Sequence, residues 1–147
     1  MLYKKLPEVN PQRIAAMGYC FGGLCALDLA RTGVDIKAVI SFHGLLNKAE
    51  QPSKPITAKI LVLHGYDDPM VPPEQVIKFA AEMTALKVDW QVHMYGLTTH
   101  SFTNPLANDH TLGLQYNQIA DNRSWISMVV FLKELNWGIG NITTTTE

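Results

Sequence analysis

The sequence has almost no net charge, few cysteines and no long apolar run. Its 147 residues contain 12 Lys and Arg against 13 Asp and Glu, a formal net charge of −1. This balance argues against a basic nucleic-acid-binding domain or a polybasic membrane-surface protein. The longest uncharged apolar stretch, residues 14–27, is interrupted by glycines and too short to span a bilayer. We therefore expect no nucleic acid and no membrane as partners.

The two cysteines, Cys20 and Cys25, lie in one predicted helix at a spacing that is poor geometry for a disulfide. A reducing compartment, with the cytoplasm as default, is therefore predicted. Neither a C-x-x-C pair nor an H-x-x-x-H helix is present, so we predict no metal site and no cofactor. His43 and His64 each precede a glycine at the end of a predicted strand and could line a site, but a structural, hydrogen-bonded histidine is the preferred interpretation.

Composition and periodicity predict one α/β domain over residues 1–137, followed by a frayed polar tail over 138–147. Strands are predicted at 13–19, 36–42, 59–65 and 89–95, and helices from the turn after the first strand to 32, from about 73 to 86 and from about 120 to 135. This order is typical of a parallel sheet of about four strands flanked by helices. Residues 96–116 are predicted to be irregular, and Cys25 and Trp125 to face the core.

A glycine-rich turn separates the first strand from the first helix. Its sequence, Gly-Tyr-Cys-Phe-Gly-Gly at residues 18–23, is typical of a nucleophile elbow with a thiol at the apex. The glycines let the chain reverse tightly, and a larger residue at Gly18 or Gly22 is expected to clash. A helix N-terminus favours the thiolate of Cys20 over the thiol, and the backbone N–H of Phe21 would be one oxyanion donor. The alternative is a buried structural thiol.

Three candidate groups follow predicted strands in the order nucleophile, acid, base. Cys20 follows the first strand, Asp68 the third and His100 the fourth, which is the chain order of α/β-hydrolase triads. The carboxyl ends of parallel strands share one edge, so these side chains are expected to meet. Taken singly, Asp68 would be a turn carboxylate and His100 a loop histidine. Their combination with a thiol favours catalysis, with Asp67 as the rival for the acid.

These motifs together resemble the dienelactone hydrolase family, the cysteine-nucleophile branch of the α/β-hydrolases. The matching segments are Gly-Tyr-Cys-Phe-Gly-Gly at 18–23, His-Gly-x-x-Asp-x-x-Val-Pro at 64–72 and Thr-His-Ser-Phe-Thr-Asn-Pro at 99–105. The resemblance implies an ester or lactone hydrolase with Cys20 as nucleophile, Asp68 as acid and His100 as base. Its spacing to the Val-Pro pair favours Asp68 over Asp67. The implied partner is a small-molecule ester or lactone.

The resemblance covers only the C-terminal part of the family's domain, so we expect a partial α/β-hydrolase fold that lacks the family's N-terminal strands. That portion of the family supplies a second oxyanion donor, and losing one such donor typically costs about 10²–10³ in rate. Its absence would also leave the first strand at an exposed sheet edge. The sequence therefore favours a homodimer formed through that edge.

The substrate is expected to differ from dienelactone. Dienelactone-cleaving members resemble this sequence around the histidine but carry an arginine four residues after it, where this chain has Asn104. A neutral amide cannot supply the bidentate charged contact that an arginine gives to a carboxylate. Tyr19 and Asn104 are the predicted substrate contacts.

Two other interpretations compete with the hydrolase. The first is a catalytically inactive, truncated α/β-hydrolase domain that acts as an interaction or assembly module. Acylation of Cys20 by an activated ester separates it from the enzyme. The second is a redox-sensing thiol protein, for which Cys25 is not well placed as a resolving cysteine.

Overall fold

The computed structural model describes residues 6–48 and 54–137, and the predicted tail at 138–147 lies outside them. The elements are β1 (Ala15–Tyr19), α1 (Phe21–Arg31), β2 (Ala38–Phe42), β3 (Lys59–Gly65), α2 (Pro73–Ala85), β4 (Trp90–Tyr95), β5 (Asn108–Asp109), β6 (Leu114–Gln115) and α3 (Gln118–Lys133). The predicted α/β fold, with four parallel strands flanked by helices, is confirmed.

The first four strands form one parallel sheet in the order β1-β2-β3-β4. The register pairs Ala15 with Ala38, Ala38 with Lys59, and Ile60 with Trp90. β2 and β3 are central and almost wholly buried, which explains their continuous apolar sequences. β1 is an edge strand, and all four carboxyl ends lie on the same side, where sites form in such sheets.

Helices cover both faces of the sheet. α1 and α2 contribute to a core cluster that includes Ile60 and Val62, whereas α3 contributes to a second cluster with Leu61 and Leu63. This division follows from the pleat of β3, because successive side chains point to opposite faces. No helix in the described part of the chain is long and apolar enough to cross a membrane.

The first two strands begin two residues later than predicted. A turn precedes β1, in which the N–H of Arg13 donates to the carbonyl of Asn10 at 3.0 Å. Another precedes β2, in which the N–H of Ile36 donates to the carbonyl of Val34 at 2.9 Å. The apolar runs therefore begin before the strands do. An apolar run alone does not mark the residue at which backbone pairing starts.

The region before α3 also differs from its prediction. Residues 96–116 are not wholly irregular, because β5 and β6 pair antiparallel within them. α3 begins at Gln118, since the side chain of Asn117 accepts a hydrogen bond from the Ala120 N–H at 3.1 Å and caps the helix. β4 starts at Trp90, one residue later than expected.

Cys25 and Trp125, which were predicted to face the core, are both exposed. The buried residues of α1 are Gly23, Ala26, Leu27, Ala30 and Arg31, and those of α3 are Ala120, Ser124, Met128, Val129 and Phe131. Each set follows helical spacing, and Cys25 and Trp125 lie outside it. Trp125 is 46% exposed.

Candidate active site

Cys20 lies at the turn between β1 and α1 with φ 52° and ψ −122°. A positive φ is uncommon for a residue with a Cβ and is held only where the surroundings impose it. The Cys20 N–H donates to the carbonyl of Phe42 at 3.0 Å, and its carbonyl accepts from the N–H of Gly23 at 3.0 Å. The turn is thus fixed on one side by the sheet and on the other by the helix, as expected for a nucleophile elbow.

Two glycines allow this close approach of strand and helix. A Cβ at Gly18 would overlap the carbonyl of Gly22, and a Cβ at Gly23 would overlap the hydroxyl of Ser41. The prediction of a clash at Gly22 is wrong. A Cβ there would have no heavy atom within 4 Å outside its own helix and chain neighbours. The steric requirement therefore falls on Gly18 and Gly23.

Cys20, His100 and Asp68 form a continuous chain of polar contacts. His100 Nε2 lies 3.1 Å from Cys20 Sγ, and His100 Nδ1 lies 2.7 Å from Asp68 Oδ2. The other oxygen of Asp68 accepts the N–H of Met70 at 2.8 Å. His100 and Asp68 are buried, whereas Asp67 is exposed. Of the two rival carboxylates, the structure brings Asp68 to the histidine.

The electrostatic setting of His100 suits proton transfer from a thiol. Burial alone would lower the pKa of His100, but its hydrogen bonds to Asp68 and Cys20 outweigh burial, and the pKa is raised above the usual 6.5. An imidazole of raised basicity in contact with a thiol can accept its proton.

One close approach at a glycine and two backbone hydrogen bonds hold His100 in place. A Cβ at Gly65, the last residue of β3, would lie 2.5 Å from the Thr98 carbonyl oxygen, so glycine lets the loop before His100 cross the strand end. The N–H of His100 donates to the carbonyl of Gly113 at 3.0 Å, and its carbonyl accepts from the N–H of Gln115 at 3.1 Å. A loop that looks irregular in sequence thus fixes the histidine from both sides.

An open cleft of about 530 Å³ includes Cys20 in its lining. Its lining residues are Tyr19, Cys20, His43, Ser101, Thr103, Asn104, Pro105, Asp121 and Trp125. The predicted substrate contacts Tyr19 and Asn104 both belong to this set. Phe21 is the first residue of α1, and the N–H groups of a first helical turn have no acceptor within the helix. The volume is in the range of small-molecule sites.

Besides Ser101, Thr103 and Pro105 of the histidine motif, sequence reasoning gave no site role to two lining residues of α3, Asp121 and Trp125. They lie four residues apart and so on one side of the helix, a spacing that is visible in the sequence. What the sequence does not contain is the rotation of α3 that turns this side toward the cleft.

His43 combines the two roles considered for it. Its Nε2 lies 2.8 Å from the Thr103 hydroxyl, as expected of a structural histidine, yet its ring lines the cleft and meets the His100 ring edge-on at 5.2 Å. The ring of His64, by contrast, is buried against the carbonyl of Val71 at 3.0 Å.

The buried ring of His43 predicts a loss of stability in acid. Burial, followed by the neighbouring His100, lowers the pKa of His43 to about 4. Since the unfolded chain binds this proton near pH 6.5, stability falls as the pH drops from 6.5 toward 4. At 1.36 kcal/mol per pKa unit, this amounts to about 2 kcal/mol between pH 7 and pH 5. Urea unfolding at both values should show it.

The matched variants are His43→Gln and His110→Gln, because His110 is exposed. The difference in unfolding free energy between pH 7 and pH 5 should shrink in His43→Gln and persist in His110→Gln. An unchanged pH difference in His43→Gln would refute the assignment.

In residues 6–48 and 54–137, no group of three or more His, Cys, Asp or Glu side chains is placed to hold a metal ion. The arrangement instead joins a thiol, an imidazole and a carboxylate at the carboxyl edge of a parallel sheet. The model of the dienelactone hydrolase family matches residues 1–136. The chain belongs to this family.

Two similar proteins show how much of this chain and of its relatives the sequence similarity covers. An uncharacterized protein of Caenorhabditis elegans is 41% identical over 135 residues, covering 89% of this chain and 85% of that protein. A probable 2-oxo-3-(5-oxofuran-2-ylidene)propanoate lactonase of Bradyrhizobium sp. is 26% identical, covering 85% of this chain and 52% of that protein.

Among solved structures, a dienelactone hydrolase-like promiscuous phosphotriesterase from metagenomic libraries is 42% identical, with a TM-score of 0.83. The match covers 90% of this chain and 56% of that protein. The chain thus spans about half the length of the lactonase and of the phosphotriesterase, in agreement with the expected partial domain.

Proposed function

We propose that this chain hydrolyses carboxylic esters or lactones through an acyl intermediate on Cys20. The observation that carries the proposal is the contact chain in which His100 lies 3.1 Å from Cys20 Sγ and 2.7 Å from Asp68 Oδ2. Membership of the dienelactone hydrolase family and the similarity to a probable lactonase support the reaction class.

The proposed reaction has two half-reactions, acylation of Cys20 and hydrolysis of the resulting thioester. His100 Nε2 takes the thiol proton, and the thiolate of Cys20 attacks the carbonyl carbon, while the N–H of Phe21 donates to the developing oxyanion. Collapse breaks the C–O bond, and His100 returns the proton to the leaving alkoxide. In the second half-reaction, His100 takes a proton from a water molecule, which attacks the thioester carbonyl carbon. Collapse breaks the C–S bond, the acid leaves, and His100 gives the proton to the Cys20 sulfur. Asp68 holds the imidazole in the tautomer that these steps need.

Tyr19 and Asn104 are the proposed substrate contacts. The Tyr19 ring stacks on Phe42 with centroids 4.6 Å apart, which gives the cleft a fixed aromatic wall. Asn104 Oδ1 accepts the N–H of Leu106 at 3.0 Å, which leaves its amide N–H groups as neutral donors.

Phosphotriester hydrolysis is a second candidate, favoured by the similarity to the promiscuous phosphotriesterase. The same thiolate would attack phosphorus and expel an aryloxide, after which water would hydrolyse the S–P bond. Release of p-nitrophenol from diethyl p-nitrophenyl phosphate, dependent on Cys20, would support it, and a rate equal to that of the Cys20→Ala variant would exclude it.

Burst kinetics with p-nitrophenyl acetate test the main proposal against a non-catalytic interaction module. The intact chain should release a burst of p-nitrophenol comparable to the enzyme concentration, and quenched samples should carry an acetyl group on Cys20. Cys20→Ala should lose both signals. Cys25→Ala is the matched control, because it removes the other free thiol and should keep both. A burst that survives in Cys20→Ala would overturn the proposal.

We also propose that the protein is cytoplasmic, where both free cysteines would stay reduced. We further propose that two copies pair through β1. β1 is an edge strand, and its Met17 and Tyr19 side chains are 47% and 44% exposed. A two-fold axis would pair the strand with its own copy. Sedimentation velocity should show a dimer that Met17→Lys weakens, whereas a monomer at tens of micromolar would rule it out.

A further inference from the structure

The cleft beside Cys20 carries a fixed negative charge and no fixed positive charge. Of the described residues that line it, Asp121 is the one carboxylate, and none is lysine or arginine. His43 does not balance it, because burial lowers the pKa of its ring to about 4 and keeps it neutral at physiological pH. A substrate with a carboxylate would therefore approach Asp121 without a counter-charge in the lining.

Asp121 is held in the first turn of α3 and is partly buried. The hydroxyl of Tyr116 donates to its Oδ2 at 3.2 Å. Its charge acts on other groups of the cleft, because burial and then Asp121 raise the pKa of Tyr19. The carboxylate is thus positioned by a hydrogen bond and acts electrostatically on the wall of the cleft.

Aromatic rings accompany this carboxylate. Trp125 follows Asp121 by one helical turn and lines the same cleft, as does Tyr19. A carboxylate beside aromatic faces is a combination that binds ammonium groups, through direct charge attraction and through cation–π contact.

We propose that Asp121 makes this cleft select substrates by charge, with esters that bear an ammonium group preferred, neutral esters accepted and carboxylate-bearing esters rejected. The inference rests on the proposed ester hydrolysis at Cys20 and names its substrate class. It extends the role expected of Asn104, because the site not only lacks a cation that could hold a carboxylate but presents a charge that repels one.

Three p-nitrophenyl esters of matched chain length test the proposal: hexanoate, the adipate monoanion and trimethylammonio-pentanoate. Each kcat/KM is divided by the rate of spontaneous hydrolysis, which removes intrinsic differences in reactivity. In the unmodified chain the cationic ester should exceed the anionic one by roughly tenfold, the scale of one charge interaction in a partly screened site. Asp121→Asn should bring that ratio close to one, and Asp121→Glu should retain it.

Glu74→Gln is the matched control, because it removes one negative charge from an exposed position on α2 that does not line the cleft. Its ratio should equal that of the unmodified chain. Cys20-dependent turnover of all three esters with the same ratio before and after Asp121→Asn would overturn the charge selection while leaving the hydrolase intact. If the unmodified chain showed no Cys20-dependent turnover even of the neutral hexanoate, the proposed function would be overturned, and this inference with it.

Discussion

Replacing Asp68 by asparagine is expected to lower kcat for p-nitrophenyl ester hydrolysis by about 10⁴, the loss that this change causes in a serine protease triad. Asp68 Oδ2 contacts His100 Nδ1 at 2.7 Å, so a proton on Nδ1 leaves Nε2 unprotonated toward Cys20. An asparagine amide can donate to Nδ1 and favour the opposite tautomer. Nε2 would then carry a proton and could not take one from the thiol.

The neighbouring carboxylate provides the control. Asp67 has the same side chain one residue earlier, but it is exposed and does not contact His100. Asp67→Asn should therefore change kcat less than about tenfold, in the range of an exposed charge removed near a site. Asn is isosteric with Asp, so both variants are expected to fold. Their kcat values should be compared between purified proteins with equal urea unfolding midpoints, so that a loss of activity is not a loss of folded protein. A comparable loss in both variants, or no loss in Asp68→Asn, would contradict the assignment of Asp68.

The choice between Asp67 and Asp68 shows what the sequence does contain. Spacing within a motif is local, and the turn after β3 places residues by that spacing: the carbonyl of Asp68 accepts the N–H of Val71 at 3.2 Å. The bounds of β3 were also predicted, because a buried parallel strand is apolar on both faces and ends where its glycine begins the turn.

The remainder of the cleft depends on how α3 is rotated, and its sequence does not define one apolar face. Ile119, Ile126 and Val130 are exposed, while the helix buries Ser124. A pattern this mixed is compatible with several rotations about the helix axis, each of which would turn different side chains toward the sheet. Asp121 and Trp125 therefore reach the cleft through tertiary packing, and the assignment of Trp125 to the core was wrong for this reason.

Alanine at Gly18 and alanine at Gly22 are expected to act in opposite directions on stability. A Cβ at Gly18 would overlap the Gly22 carbonyl, so α1 would have to move away from β1. We expect Gly18→Ala to lower the free energy of unfolding by on the order of 4 kcal/mol or more, a size reserved for backbone overlap or severe core damage. Cys20 lies at the junction between β1 and α1. The 3.1 Å contact between Cys20 Sγ and His100 Nε2 should therefore also be lost in the molecules that still fold.

Gly22→Ala has no such overlap, because no heavy atom outside α1 and the chain neighbours lies within 4 Å of the added Cβ. Alanine is favoured over glycine in a helix by about 0.5–1 kcal/mol, so this variant should be as stable as the unmodified chain or slightly more stable. Urea unfolding and the burst amplitude, measured on both variants, separate the two effects. If both alanines destabilised the chain equally, the glycines would be acting through backbone conformation at the elbow rather than through the distance between β1 and α1. A stable Gly22→Ala chain that keeps its burst would place the steric requirement at Gly18, on the strand side of the thiol.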